Sequence, residues 1–166
     1  DLVHGTLYSD TFSIDRDPTK LTLEAQLPMD ASNGDKDLFI FNDSLILFSS
    51  NRSGGYGGYD IYYSIRQNNT WELPVNLGPS INSGSNEDHP FLTKSGTKLY
   101  FSSDRLTSLG GYDIFAASHN TKSEWSDVKN LGLPINSPGD DLGFELSADG
   151  SNALFSSNRI ESIGGH

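Results

Sequence analysis

FSSNRSGGYGGYDIY at residues 48–62, FSSDRLTSLGGYDIF at 101–115 and FSSNRIESIGGH at 155–166 are three copies of one phrase. Phe48 and Phe101 lie 53 residues apart, Phe101 and Phe155 54. Each copy places an arginine four positions after the phenylalanine (Arg52, Arg105, Arg159) and a Gly-Gly pair at nine and ten. A period of this length marks a repeated supersecondary unit. A residue present in every copy is better suited to building a scaffold than to catalysis.

The likeness runs well beyond the phrase. TWELPVNLGPSINSGSNEDHPF (70–91) matches EWSDVKNLGLPINSPGDDLGF (124–144) in its Trp, Leu-Gly and Ile-Asn-Ser. An acidic pair follows in both, Glu87-Asp88 and Asp140-Asp141, and the pairs are taken as equivalent. LPMDASNGDKDLF from Leu27 resembles LPINSPGDDLGF from Leu133. The chain therefore divides into the end of a preceding unit (1–36), two full units (37–87 and 88–140) and the start of a third (141–166), and is expected to be a fragment of a longer protein.

Four strand candidates fill the central unit, at 89–93, 98–103, 112–118 and 124–131. They are rich in aromatic and β-branched residues, with Gly, Ser, Asn and Asp between them. Ser95-Gly96 and Asp149-Gly150 suit tight hairpins, and no window carries a helical period. The expectation is an all-β fold of β-propeller blades, each of four antiparallel strands, about three repeats of an incomplete ring. A stack of sheets in a β-solenoid is the alternative.

Composition narrows the function. The net charge is −11 and the isoelectric point about 4.5, a surface that repels phosphate backbones, so no nucleic-acid partner is expected. There is no cysteine, which excludes disulfides and thiolate metal sites. No apolar run reaches the ~20 residues of a membrane span. Regularly spaced aromatic residues argue against disorder.

Phe-Ser-Ser-Asn/Asp-Arg, Gly-Gly-Tyr-Asp-Ile-Tyr and the downstream Asn-Leu-Gly resemble the TolB-type, WD-like propeller repeats of bacterial envelope proteins. The long form with Trp and Ile-Asn-Ser is similar to repeats of Bacteroidota proteins, where such propellers often precede a peptidoglycan-binding OmpA-like domain, as in PorE-like components of type IX secretion. The resemblance implies a periplasmic, outer-membrane-associated scaffold or binding module, with an envelope protein or a glycan as partner. A propeller gating or supporting a peptidase is the second reading it allows. Asp43-Ser44-Leu45 also resembles a short O-glycosylation acceptor of that group, and a polar hairpin turn explains it equally.

No catalytic residue, metal or cofactor is expected. The repeated serines lack a nucleophile elbow and suit backbone groups at strand ends. His89 beside Glu87 and Asp88 has the chemistry of a ligand or base, but it is not part of the repeat and reads as a strand-edge histidine. Two carboxylates per loop are few for calcium. Arg52 with Asp60, and Arg105 with Asp113, are expected to brace the long loop structurally, with Arg159 in the same role. Recognition is assigned to copy-specific loops on one face. There Leu106, Leu109, Ile160 and Ile163 form an apolar centre, and Glu87, Asp88, His89, Asp140 and Asp141 a polar rim.

Overall fold

The computed structural model describes residues 27–119 and 124–160. The expected tail of a preceding unit before Leu27, and Ile163 with the last Gly-Gly pair, lie outside them. The described residues form eleven strands and no α-helix. All strand pairs are antiparallel.

Three open sheets follow one another along the chain. The first contains β1 (Lys36–Asn42), β2 (Leu45–Ser50), β3 (Asp60–Gln67) and β4 (Thr70–Trp71) in that order, with β5 (Val75–Asn76) also on β3. The second runs β6 (Glu87–Leu92), β7 (Lys98–Ser103), β8 (Asp113–His119) and β9 (Trp125–Asn130), close to the four segments expected. The third is the pair β10 (Asp141–Leu146) and β11 (Ala153–Ser157). The Ser44 hydroxyl donates to Asn42 Oδ1 at 2.9 Å, closing the polar turn between β1 and β2.

The sheets stack because their middle strands are apolar on both faces. Side chains alternate along a strand. In β2, Ile46 and Phe48 therefore pack with Tyr62 on one face, while Leu47 joins the core shared with Leu99, Phe101 and Phe115 of the second sheet. In β7 the alternation repeats: Phe101 faces back, and Tyr100 meets Phe144 of the third sheet at 4.6 Å. The first strand of each sheet lies nearest the neighbouring sheet, β6 against β1, β2 and β3, and β10 against β6, β7 and β8.

Each first strand also carries a bulge near its start, where the pairing register shifts. The residue that absorbs it has positive φ: Asp37 at 52°, His89 at 51° and Gly143 at 66°. Only glycine takes this conformation freely. Two of the three units nevertheless keep a titratable side chain there.

Candidate functional site

The repeated residues are consumed by two structural devices. In the first, each arginine is bracketed. Arg52 lies over the rings of Phe48 and Tyr62, Arg105 over Phe101 and Phe115, and Arg159 over Phe155, at 4.8–5.5 Å to the ring centres. Its Nε donates to the second serine of the phrase, Ser50, Ser103 or Ser157. Its Nη2 pairs with an acid at the start of its own sheet: Asp35 at 2.7 Å, Glu87 at 3.0 Å, Asp141 at 2.8 Å. A planar guanidinium suits simultaneous ring stacking and forked donation.

The expected pairing of Arg52 with Asp60 and of Arg105 with Asp113 is thus corrected. Asp60 and Asp113 brace the loop another way, accepting from the backbone amides of Tyr56 and Leu109 at 2.7 Å and from the Asn76 and Asn130 side chains. Those asparagines in turn accept from Asn82 and Asn136. Both Asn82 and Asn136 are buried, and each amide mimics a strand by accepting from the backbone N–H, and donating to the C=O, of Ile61 or Ile114.

The second device locks each sheet to the next. The Gly58 N–H donates to Ser85 O, and Glu87 N–H to Tyr59 O; in the following unit Asp141 N–H donates to Tyr112 O. The approach is so close that a Cβ on Gly57 would sit 2.1 Å from Ser85 O, and one on Gly110 2.4 Å from Gly139 O. The Gly-Gly pair is required by this contact.

Two corrections to the expected binding rim follow. Glu87, Asp88 and Asp141 are buried, at 0%, 2% and 0% exposure, so they cannot line a surface. Glu87 accepts from Ser83, Ser103 and Arg105, and Asp141 from Ser137 and Arg159. The acidic pairs are also not equivalent. Glu87 matches Asp141, and Asp140 matches Asn86, because both accept from the amide after the Gly-Gly pair, Tyr112 and Tyr59 respectively.

His89 sits in a cluster that the sequence did not disclose. Its Nε2 is 3.5 Å from Asp37 Oδ1, on the bulge of the neighbouring sheet, and Asp88 completes a group whose ligand atoms all lie within 4.8 Å of one another. Lys36 Nζ is 3.1 Å from Asp88 Oδ2 and 3.7 Å from Asp37 Oδ2. Burial pushes the Asp88 carboxyl up, outweighing Lys36, and burial together with Asp88 pushes the Tyr112 phenol up. Asp37 and Lys36 escaped the sequence reading because they occupy a different unit from His89. The bulges of β1 and β6 that aim these side chains have no sequence signature; only the corresponding bulge of β10 carries a glycine, Gly143.

The apolar candidates are exposed. Leu106 and Ile160 are almost fully solvated and Leu109 is half so, with Tyr56 and Leu133 also exposed. All five belong to connections at one end of the sheets, since the β2–β3 and β7–β8 loops meet the segments leading into the next sheet there. No family model and no curated protein matches this chain.

Proposed function

We propose that the chain is part of a β-propeller and serves as a non-enzymatic binding or scaffold module of a bacterial envelope. Three features support the blade reading: four-stranded antiparallel order, the same order repeated, and first strands set side by side. The net charge of −11, the absence of cysteine and the resemblance of the repeated phrase support a periplasmic, outer-membrane-associated setting. No helix of the described residues is long and apolar enough to cross a membrane.

One observation carries the binding role. The polar residues shared by the units are spent on internal hydrogen bonds, while exposed Leu106, Leu109 and Ile160 gather in copy-specific loops at one end. Apolar side chains on a rigid scaffold are the usual centre of a protein contact. With Glu87, Asp88 and Asp141 withdrawn from the surface, exposed Asp104 and half-buried Asp140 remain as its acidic rim, each carboxylate also held by internal hydrogen bonds.

The test is crosslinking of the full-length protein in intact cells, comparing wild type with Leu106→Ser/Leu109→Ser/Ile160→Ser. Loss of a specific crosslinked envelope partner at unchanged thermal stability is the expected result. An unchanged crosslinking pattern places the contact elsewhere.

A further inference from the structure

We propose that Asp37, Asp88 and His89 form a site for a first-row divalent cation of the zinc class, held between the first strands of two neighbouring sheets. The donors come from the corresponding bulges of β1 and β6, so the site exists only when the two sheets are packed together.

Geometry favours an ion over a hydrogen bond. The 3.5 Å between His89 Nε2 and Asp37 Oδ1 is too long for a good hydrogen bond. Zinc bound to imidazole nitrogen and carboxylate oxygen at ~2.1 Å holds tetrahedral neighbours about 3.4 Å apart. The Asp88 donor, within 4.8 Å of the other two, needs a shift of at most about 1.4 Å to complete the set.

An unsatisfied atom points the same way. The Asp88 side chain is only 3% exposed, yet its Oδ1 has no hydrogen bond of ordinary geometry. Asp37 Oδ2 and His89 Nδ1 also lack a hydrogen bond, but they are the far atoms of groups whose Oδ1 and Nε2 face one another, and Lys36 Nζ lies 3.7 Å from that Oδ2. Buried polar atoms in native proteins are almost always paired, so an open Asp88 Oδ1 within the cluster calls for a ligand. Lys36 balances part of the charge but leaves Asp88 Oδ1 open: its ammonium lies 3.1 Å from Asp88 Oδ2 and 3.7 Å from Asp37 Oδ2. One imidazole with two carboxylates and no thiolate favours zinc over calcium or magnesium, which prefer all-oxygen sets. Glu87 and Asp141 play no part, being committed to their arginines.

The experiment titrates the full chain with Zn2+, Mn2+, Ca2+ and Mg2+ by calorimetry and follows Co2+ substitution by visible absorption. One equivalent of Zn2+ should bind, with Ca2+ and Mg2+ at least tenfold weaker. His89→Ala and Asp37→Asn should each weaken Zn2+ at least tenfold. Asp37 is partly exposed, so its substitution keeps the test valid if the His89 variant misfolds. Lys36→Gln should bind at least as tightly as wild type, since a competing ammonium is removed. Replacing His4, His119 and His166 together should change nothing. Zinc binding that survives in both His89→Ala and Asp37→Asn, or calcium binding as tight as zinc, overturns the proposal.

Discussion

The junction between the first and second sheets and that between the second and third differ at the rim and at the bulge, and the two differences are of opposite kinds. At the rim the residues change but the bond survives. Asn86 donates its N–H and Nδ2 to Asp104, whereas in the next unit Asp140 donates its N–H to Asn158 Oδ1 and accepts from Asn158 Nδ2. Amide and carboxylate have exchanged places. At the bulge nothing compensates: Lys36 and Asp37 meet Asp88 and His89 across the first junction, but across the second His89 faces Gly143, which has no side chain. The repeat preserves interactions where it needs structure, and departs from itself at the cluster we assign to a metal.

The largest expected effect breaks the sameness of the two junctions. Arg105 joins sheet, loop and rings in the middle of the stack, with its side chain 16% exposed, and Glu87 beside it is fully buried. Arg159 does the same at the third sheet but is 25% exposed. Arg105→Ala should cost about 3 kcal/mol, because it leaves a buried carboxylate without its cation. Arg159→Ala should cost about 1–2 kcal/mol, its neighbourhood being better solvated. Denaturant midpoints of the two variants decide it. Equal losses would mean that position in the stack does not matter, and no loss would remove the arginine from the scaffold.

Much of this architecture was legible in the sequence. Strand positions followed from alternating apolar residues around Phe48 and Phe101, and the repeat announced itself in the arginine and the glycines. What was not legible is pairing between positions far apart. Asp35, the partner of Arg52, lies in a stretch whose likeness to later units is faint, whereas Asp60 recurs as Asp113 inside the repeated phrase. The acidic pairs were aligned one residue out of register because Asp140-Asp141 reads like Glu87-Asp88, although burial separates Glu87 and Asp141 from Asp140. Chemistry at the Asp37–His89 contact joins two units and needs a bulge to aim both side chains. Periodicity reveals what units share and is silent on what they build between them.

A smaller effect sharpens the comparison through pH. Burial alone would raise the Asp141 carboxyl, but hydrogen bonds from Ser157, Arg159 and Ser137 outweigh it and hold it below its ordinary 3.8. A carboxyl that titrates lower when folded stabilises the fold fully above its unfolded value. That stabilisation is lost as pH falls through the folded value. Wild type should therefore exceed Asp141→Asn in stability at neutral pH, with the gap narrowing once the pH drops below 3.8. A gap that stays constant on acidification would show that shape and hydrogen bonding, rather than charge, supply the contribution.

The smallest effect tests whether the exchanged pair at the rim is a true compensation. Asn86→Asp alone would set a second carboxylate against Asp104, and Asp104→Asn alone would replace the carboxylate that accepts two bonds from Asn86. Asp104 is exposed and Asn86 half-buried, so each single change should cost about 1 kcal/mol. Made together, Asn86→Asp/Asp104→Asn reproduces the arrangement that Asp140 and Asn158 already hold, and stability should return to within a few tenths of a kcal/mol of wild type. A double-mutant cycle in thermal or denaturant unfolding measures that recovery directly. Costs that simply add would mean that the surrounding loop, Ser83 to Asn86 in one unit and Ser137 to Asp140 in the other, has been fitted separately to each version of the pair. The two junctions would then share a plan without sharing an interchangeable part.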